Sequence, residues 1–125
     1  MGHNRVIYNY MVVDLLSDVA ADRVFQALAD ATRRDILVRA IREKQSVSAL
    51  ASRYDMSFAA VQKHVAVLER AALVTKERRG REQIVSAHPP TLRKAAALLD
   101  AYEQMWIERT THIADILAGE EGSST

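Results

Sequence analysis

Cysteine is absent from the 125 residues. Disulfides, thiolate metal sites and thiol redox switches are therefore excluded. No run of about eighteen apolar residues occurs, so no segment reads as a membrane span. The opening residues Met1 to Tyr10 lack the apolar core of a secretory signal. Met11 can equally begin the domain, so residues 1–16 are expected to form a leader or extension, and the protein is expected to be cytoplasmic. Proline occurs only at Pro89 and Pro90. No internal repeat or interdomain linker is visible. What remains is ordinary for one small globular domain, 49% hydrophobic and 26% charged, with a core small enough that a partner subunit would help it.

The net charge of +1 conceals a segregation. Between Ser57 and Arg81 six cations face two anions, a local +4, whereas from Ala95 onward one arginine faces six carboxylates, a local −5. Charge alone makes both stretches solvated faces. Local structure makes the basic one more informative.

Three helices are expected before it, and a fourth opens it. Ser17 caps the first, with Ala21, Val24, Phe25 and Leu28 at helical spacing. Asp30 caps the second, from about Ala31 to Arg42, burying Ile36, Leu37, Ala40 and Ile41. Ser46 caps a short third, Val47 to Tyr54, burying Val47, Leu50 and Ala51. Asp55-Met56-Ser57 breaks the pattern, and Asp55 tolerates a left-handed backbone. Ser57 then caps a fourth helix, Phe58 to about Ala71, with Val61, Val65 and Leu68 inward. Leu73-Val74-Thr75 and Gln83-Ile84-Val85-Ser86 read as short strands around a charged loop, Lys76 to Glu82, that turns at Gly80. Pro89-Pro90 opens a long last helix, from about Thr91 to Leu117, and residues 119–125 read as a flexible polar tail. The fold class is mainly α with a small β-hairpin: a winged helix-turn-helix of about five helices and a two-stranded wing, spanning residues 17–118.

A helix capped at the surface can place its first turns against base edges in a major groove. The inward stripe leaves Ser57, Phe58, Ala59, Gln62 and Lys63 outward. Gln62 can bond adenine bidentately, and Lys63 can reach guanine or a phosphate. Ala59 permits close approach, and Phe58 can press on a thymine methyl. His64 lies toward the flank, suited to a phosphate or to surface packing. Arg78, Arg79 and Arg81 on the hairpin are placed for phosphates or the minor groove.

These stretches resemble a known family. Leu28 to Leu37, reading LADATRRDIL, is similar to the opening of the second helix in the ArsR-type winged-helix repressors, and Ser57 to Val74 to their recognition helix and first wing strand. The resemblance covers roughly Asp18 to Leu117. It implies a dimeric repressor that binds double-stranded DNA and leaves its operator when an effector or regulatory protein intervenes. Ala31 stands where the family usually has proline, and Ala72 where it has a helix-ending glycine. An alanine held at positive φ is strained by about 1 kcal/mol, so a differently ended helix and a slightly re-aimed wing are expected. The family's Cys-x-Cys metal site is missing. Its alternative Asp/His site on the last helix is matched only by Asp100, His112 and Asp115, at a spacing one residue short and with Tyr102 where a second histidine belongs. Neither a metal nor any other cofactor is assigned.

Along the last helix Leu92, Leu99, Trp106 and Ile113 recur every seven residues, and Tyr102 and Leu117 widen the stripe. This predicts a seam with a second copy, the first helix (Val24, Phe25, Leu28) packing alongside. A monomer core or an aromatic ligand pocket is the competing use of Tyr102 and Trp106. Two functional rivals stand beside DNA binding: a winged-helix module whose wing binds an acidic protein, and an enzyme. No cofactor loop or acid–base pair supports the enzyme.

Overall fold

The computed structural model describes residues 3–8 and 11–123, with side chains described for 15–119. The elements run β1 (His3–Tyr8), β2 (Met11–Leu16), α1 (Asp18–Leu28), α2 (Ala31–Arg42), β3 (Gln45–Ser46), α3 (Val47–Ala51), α4 (Phe58–Arg70), β4 (Val74–Arg79), β5 (Glu82–Ala87) and α5 (Pro89–Ser123). No described helix is long and apolar enough to cross a membrane.

All four expected N-caps form. Each side chain accepts from the backbone N–H three residues on: Ser17 from Ala20, Asp30 from Arg33, Ser46 from Ala49 and Ser57 from Ala60. Each satisfies a donor that the first helical turn leaves orphaned. The backbone bond from Arg33 is the largest influence on Asp30 and holds its carboxyl below the usual range. At the other end of α1, Arg33 donates to the carbonyls of Gln26 (2.9 Å) and Ala27 (2.8 Å), and Arg34 to that of Leu28 (2.7 Å). Cations against the last carbonyls oppose the negative end of the helix dipole. The Asp30-to-Arg34 stretch thus starts one helix and finishes another.

The main core is a cluster between the helices and the three-stranded sheet. Val24, Ile36, Leu50, Val61, Val65, Leu68, Leu73 and Val85 are fully enclosed in it. The inward stripe of α4 is the expected one, Val61, Val65 and Leu68. On α2, Ile36, Leu37 and Ala40 are buried, but Ile41 is 55% exposed. Its place on the helix rotates it past the rim of the core. Val24 also departs from the expected role: it is fully buried in the protomer's own core, so it is unavailable to a partner subunit.

Tyr54 joins α2 to the turn after α3. Its hydroxyl donates to the Asp35 carboxylate, which also accepts from Arg39 at 2.8 Å, and the Arg39 guanidinium lies 5.9 Å from the Tyr54 ring centre. Partial burial, then the hydrogen bond to Asp35, pushes the Tyr54 hydroxyl up to about 12.

The strands differ from expectation in three ways. Lys76 to Arg79 belong to β4 rather than to a loop, leaving Gly80 and Arg81 as the whole turn. Gly80 has φ +62 with open space around it, so the backbone alone calls for glycine there. Gln45–Ser46 adds a third strand, giving the order β3-β5-β4. Met11–Leu16 pairs antiparallel with His3–Tyr8, from His3 opposite Leu16 to Tyr8 opposite Met11. Leu15 is buried beside Leu98 and Ala101 of α5. The remaining residues of the expected leader, Met1, Gly2, Asn9 and Tyr10, lie outside the described residues, as do Ser124 and Thr125 of the tail.

Helix α3 stops at Ala51, three residues early, and Asp55 does not use the left-handed region: among the described residues only Ala72 and Gly80 have positive φ. Ala72, at φ 59, does what was expected of a glycine. The Ala72 N–H bonds Glu69 O at 2.9 Å and the Leu73 N–H bonds Leu68 O at 3.0 Å. This paired closure ends helices at a left-handed residue. The helix therefore ends in the usual way despite the alanine, because Leu73 and Val74 must both reach the core.

Candidate nucleic-acid interface

Burial of Val61, Val65 and Leu68 fixes the rotation of α4. Its opposite face then carries Phe58, Ala59, Gln62 and Lys63 into solvent, with the Ser57 cap beside them. Phe58 is a large apolar side chain left outside the core. His64 is half-buried at the flank. Its Nδ1 lies 3.3 Å from Arg33 Nη1. A guanidinium has only donors, so the contact is a hydrogen bond in the tautomer whose Nδ1 carries no proton. His64 thereby ties the face-bearing helix to the α1–α2 junction.

The wing's cations fall into two groups. Lys76 pairs with Glu69 of α4 at 3.6 Å, and Arg79 with Glu77 at 3.5 Å. Arg78 uses Nε to donate to Gly80 O at 3.2 Å, leaving its terminal nitrogens without a partner among the described residues. Arg81 makes no ion pair or side-chain hydrogen bond among the described residues. Lys76 and Arg79 are thus locally compensated, while Arg78 and Arg81 present uncompensated charge.

Between the wing and the two helices lies a cleft of about 220 Å³. Val47 and Ser48 of α3, Phe58 and Gln62 of α4, and Arg78, Arg81, Glu82 and Gln83 of the wing line it. Four of the expected DNA-facing residues, Phe58, Gln62, Arg78 and Arg81, converge there. Ser57, Ala59, Lys63, His64 and Arg79 do not line it. Sequence reading missed Ser48, Glu82 and Gln83. No local pattern marks them, because β3 pairing with β5 brings the start of α3 against the wing.

The last helix has two apolar faces. Ala95, Leu98 and Ala101 are buried in the protomer. Leu99, Tyr102, Trp106, Ile113 and Leu117 lie exposed, Trp106 by 67%, and Phe25 of α1 is also exposed. Leu28 and Leu92 pack at the edge of the protomer's core. No group of three or more His, Cys, Asp or Glu residues among those described is arranged to hold a metal.

No family model matches the chain. It is 34% identical over 99 residues to the HTH-type transcriptional regulator Rv2034 of Mycobacterium tuberculosis, a match covering 79% of this chain and 90% of that protein. Among solved structures, an ArsR-like transcriptional regulator from Rhodococcus sp. RHA1 superimposes with a TM-score of 0.71 at 36% identity, covering 78% of this chain and 92% of that one. The homodimeric winged helix-turn-helix DNA-binding domain of a possible ArsR-family regulator from Mycobacterium bovis shares the fold, with a TM-score of 0.57 at 23% identity over 69% of this chain and 81% of that one. The chain belongs to the ArsR family of winged helix-turn-helix transcriptional regulators.

Proposed function

We propose that the protein is a dimeric repressor that binds a near-palindromic operator, with α4 in the major groove and the wing on the flanking backbone. The observation that carries this reading is the polarity of α4. One stripe is fully enclosed, and the opposite face offers Gln62 and Lys63 beside two uncompensated arginines. Gln62 and Lys63 read base edges, Ser57, Phe58, Ala59 and His64 set the approach, and Arg78, Arg79 and Arg81 grip phosphates.

The dimer rests on the apolar face that α5 leaves uncovered, Leu99, Tyr102, Trp106, Ile113 and Leu117, with Phe25 of α1 exposed as well and Leu28 and Leu92 at the edge of the core. The homodimeric Mycobacterium bovis domain supports the same arrangement. Two subunits present two copies of α4 to successive half-sites and gain by effective concentration. The relatives are regulators, which favours a non-catalytic role.

The test is a duplex selected by the protein from a randomised library, followed by fluorescence anisotropy at several salt concentrations. Affinity should fall steeply with salt, and Gln62→Ala or Lys63→Ala should each cost about 1–3 kcal/mol on the selected duplex. Failure to enrich any sequence, with no affinity for unrelated duplex, would overturn the reading in favour of a protein-binding winged helix.

A further inference from the structure

The cleft beside the recognition helix combines features that the groove-facing residues alone do not explain. Its charged walls are Arg78 and Arg81, the two wing cations with no carboxylate partner among the described residues, and a single anion, Glu82. Ser48, Gln62 and Gln83 add neutral donors from three different elements. Gln83 stands opposite Arg78 across the β4–β5 ladder, so their side chains emerge on the same face of the sheet. Net positive charge, neutral donors and a volume several times the roughly 30 Å³ of a water suit a tetrahedral oxyanion.

Gln62 belongs both to the cleft and to the exposed face of α4. A duplex seated on that face therefore carries its own backbone past the cleft mouth. We propose that the cleft holds one backbone phosphodiester in each half-site, bound by Ser48 and Gln83 together with Arg78 and Arg81, and that Glu82 opposes it. The inference rests on the DNA-binding reading and adds three residues to it. The arginines supply charge. The serine hydroxyl and the glutamine amide fix where along the strand the phosphate sits, since hydrogen bonds are directional and charge is not. Glu82 is a like charge facing the phosphate. It weakens binding to every duplex equally and keeps the cleft from gripping DNA without help from the base-reading face.

The experiment compares the full chain with Ser48→Ala, Gln83→Ala and Glu82→Gln on the selected duplex and on an unrelated one. All three positions are exposed or half-buried, and a thermal melt of each variant checks the fold. Ser48→Ala and Gln83→Ala should each weaken binding three- to tenfold on both duplexes. Glu82→Gln should tighten binding to both severalfold. A set of selected duplexes, each with one phosphate replaced by a neutral methylphosphonate, then locates the contact. At one position per half-site the loss seen with the wild-type protein should largely vanish in the Ser48→Ala, Gln83→Ala double variant. Wild-type affinity in both single alanine variants, or no position at which methylphosphonate and variant are coupled, overturns the proposal while leaving DNA binding intact. If the wild-type protein binds neither duplex, both readings fall together.

Discussion

Replacing Ala72 by glycine should stabilise the protein, an uncommon direction for a single substitution. Ala72 is exposed and holds φ 59 between α4 and β4. The left-handed region costs an L-residue roughly 1–2 kcal/mol, because Cβ crowds the following carbonyl oxygen. Glycine escapes that cost but loses about 0.4–1 kcal/mol through its freer unfolded chain. The difference favours Ala72→Gly by about 0.5–1 kcal/mol, a rise in Tm of roughly 2–4 °C for a domain of this length. Both helix-ending bonds, from the N–H groups of Ala72 and Leu73, are unaffected by the loss of a methyl. Urea unfolding at fixed protein concentration, with unchanged m, measures the effect without a contribution from dimer mass action. Ala72→Val serves as the opposite control. Its branched Cβ makes the same φ a true outlier, and it should destabilise by at least 1 kcal/mol or so. A glycine variant no more stable than the wild type would refute the assignment of strain to this residue.

Other perturbations probe separate parts of the structure. Leu68→Ala empties a fully enclosed site and should cost about 2–5 kcal/mol in the same urea assay. Tyr54 should ionise near 12, and Tyr54→Phe should delete that component from an ultraviolet titration. Because its folded-state value is raised, the Tyr54 contribution to stability is complete below the ordinary tyrosine range and lost as pH climbs through about 12. Asp35 has the opposite sign. Hydrogen bonds from Tyr54 and then Arg39 hold its carboxyl below the usual range, so its contribution is present at neutral pH and lost on acidification below about pH 4. Asp35→Asn should flatten that acid limb. Trp106 is the single tryptophan and lies largely exposed in the protomer. Its emission should shift to the blue as concentration drives dimerisation, and an emission maximum that never changes on dilution would argue against an α5 seam.

The elements of the helix-turn-helix were legible because their signals are local. A capping side chain and the helix it starts lie within three residues of each other, so Ser17, Asp30, Ser46 and Ser57 mark their helices in any context. The period of Val61, Val65 and Leu68 likewise fixes which side of α4 meets the core, and by subtraction which side meets solvent. The strain at Ala72 was also readable, since it follows from what must come after the helix. Its expected consequence, a differently ended helix, did not follow, because burial of Leu73 and Val74 outweighs about 1 kcal/mol of backbone strain.

Sequence by itself therefore determined the caps, the inward stripe of α4, the face that α4 leaves to solvent and the family. Tertiary structure decided the rest. Val24 belongs to the protomer's interior, and Ile41 does not, because the neighbours packed against each helix decide where core ends and rim begins. Lys76 and Arg79 are compensated while Arg78 and Arg81 are not, because carboxylates distant or alternate in the chain meet only the first pair. The cleft exists because a two-residue strand, too short to carry a pattern, draws the start of α3 against the wing. Short-range periodicity encodes which way a side chain points. Which other side chain it meets depends on pairings between distant segments, and no local pattern carries that information.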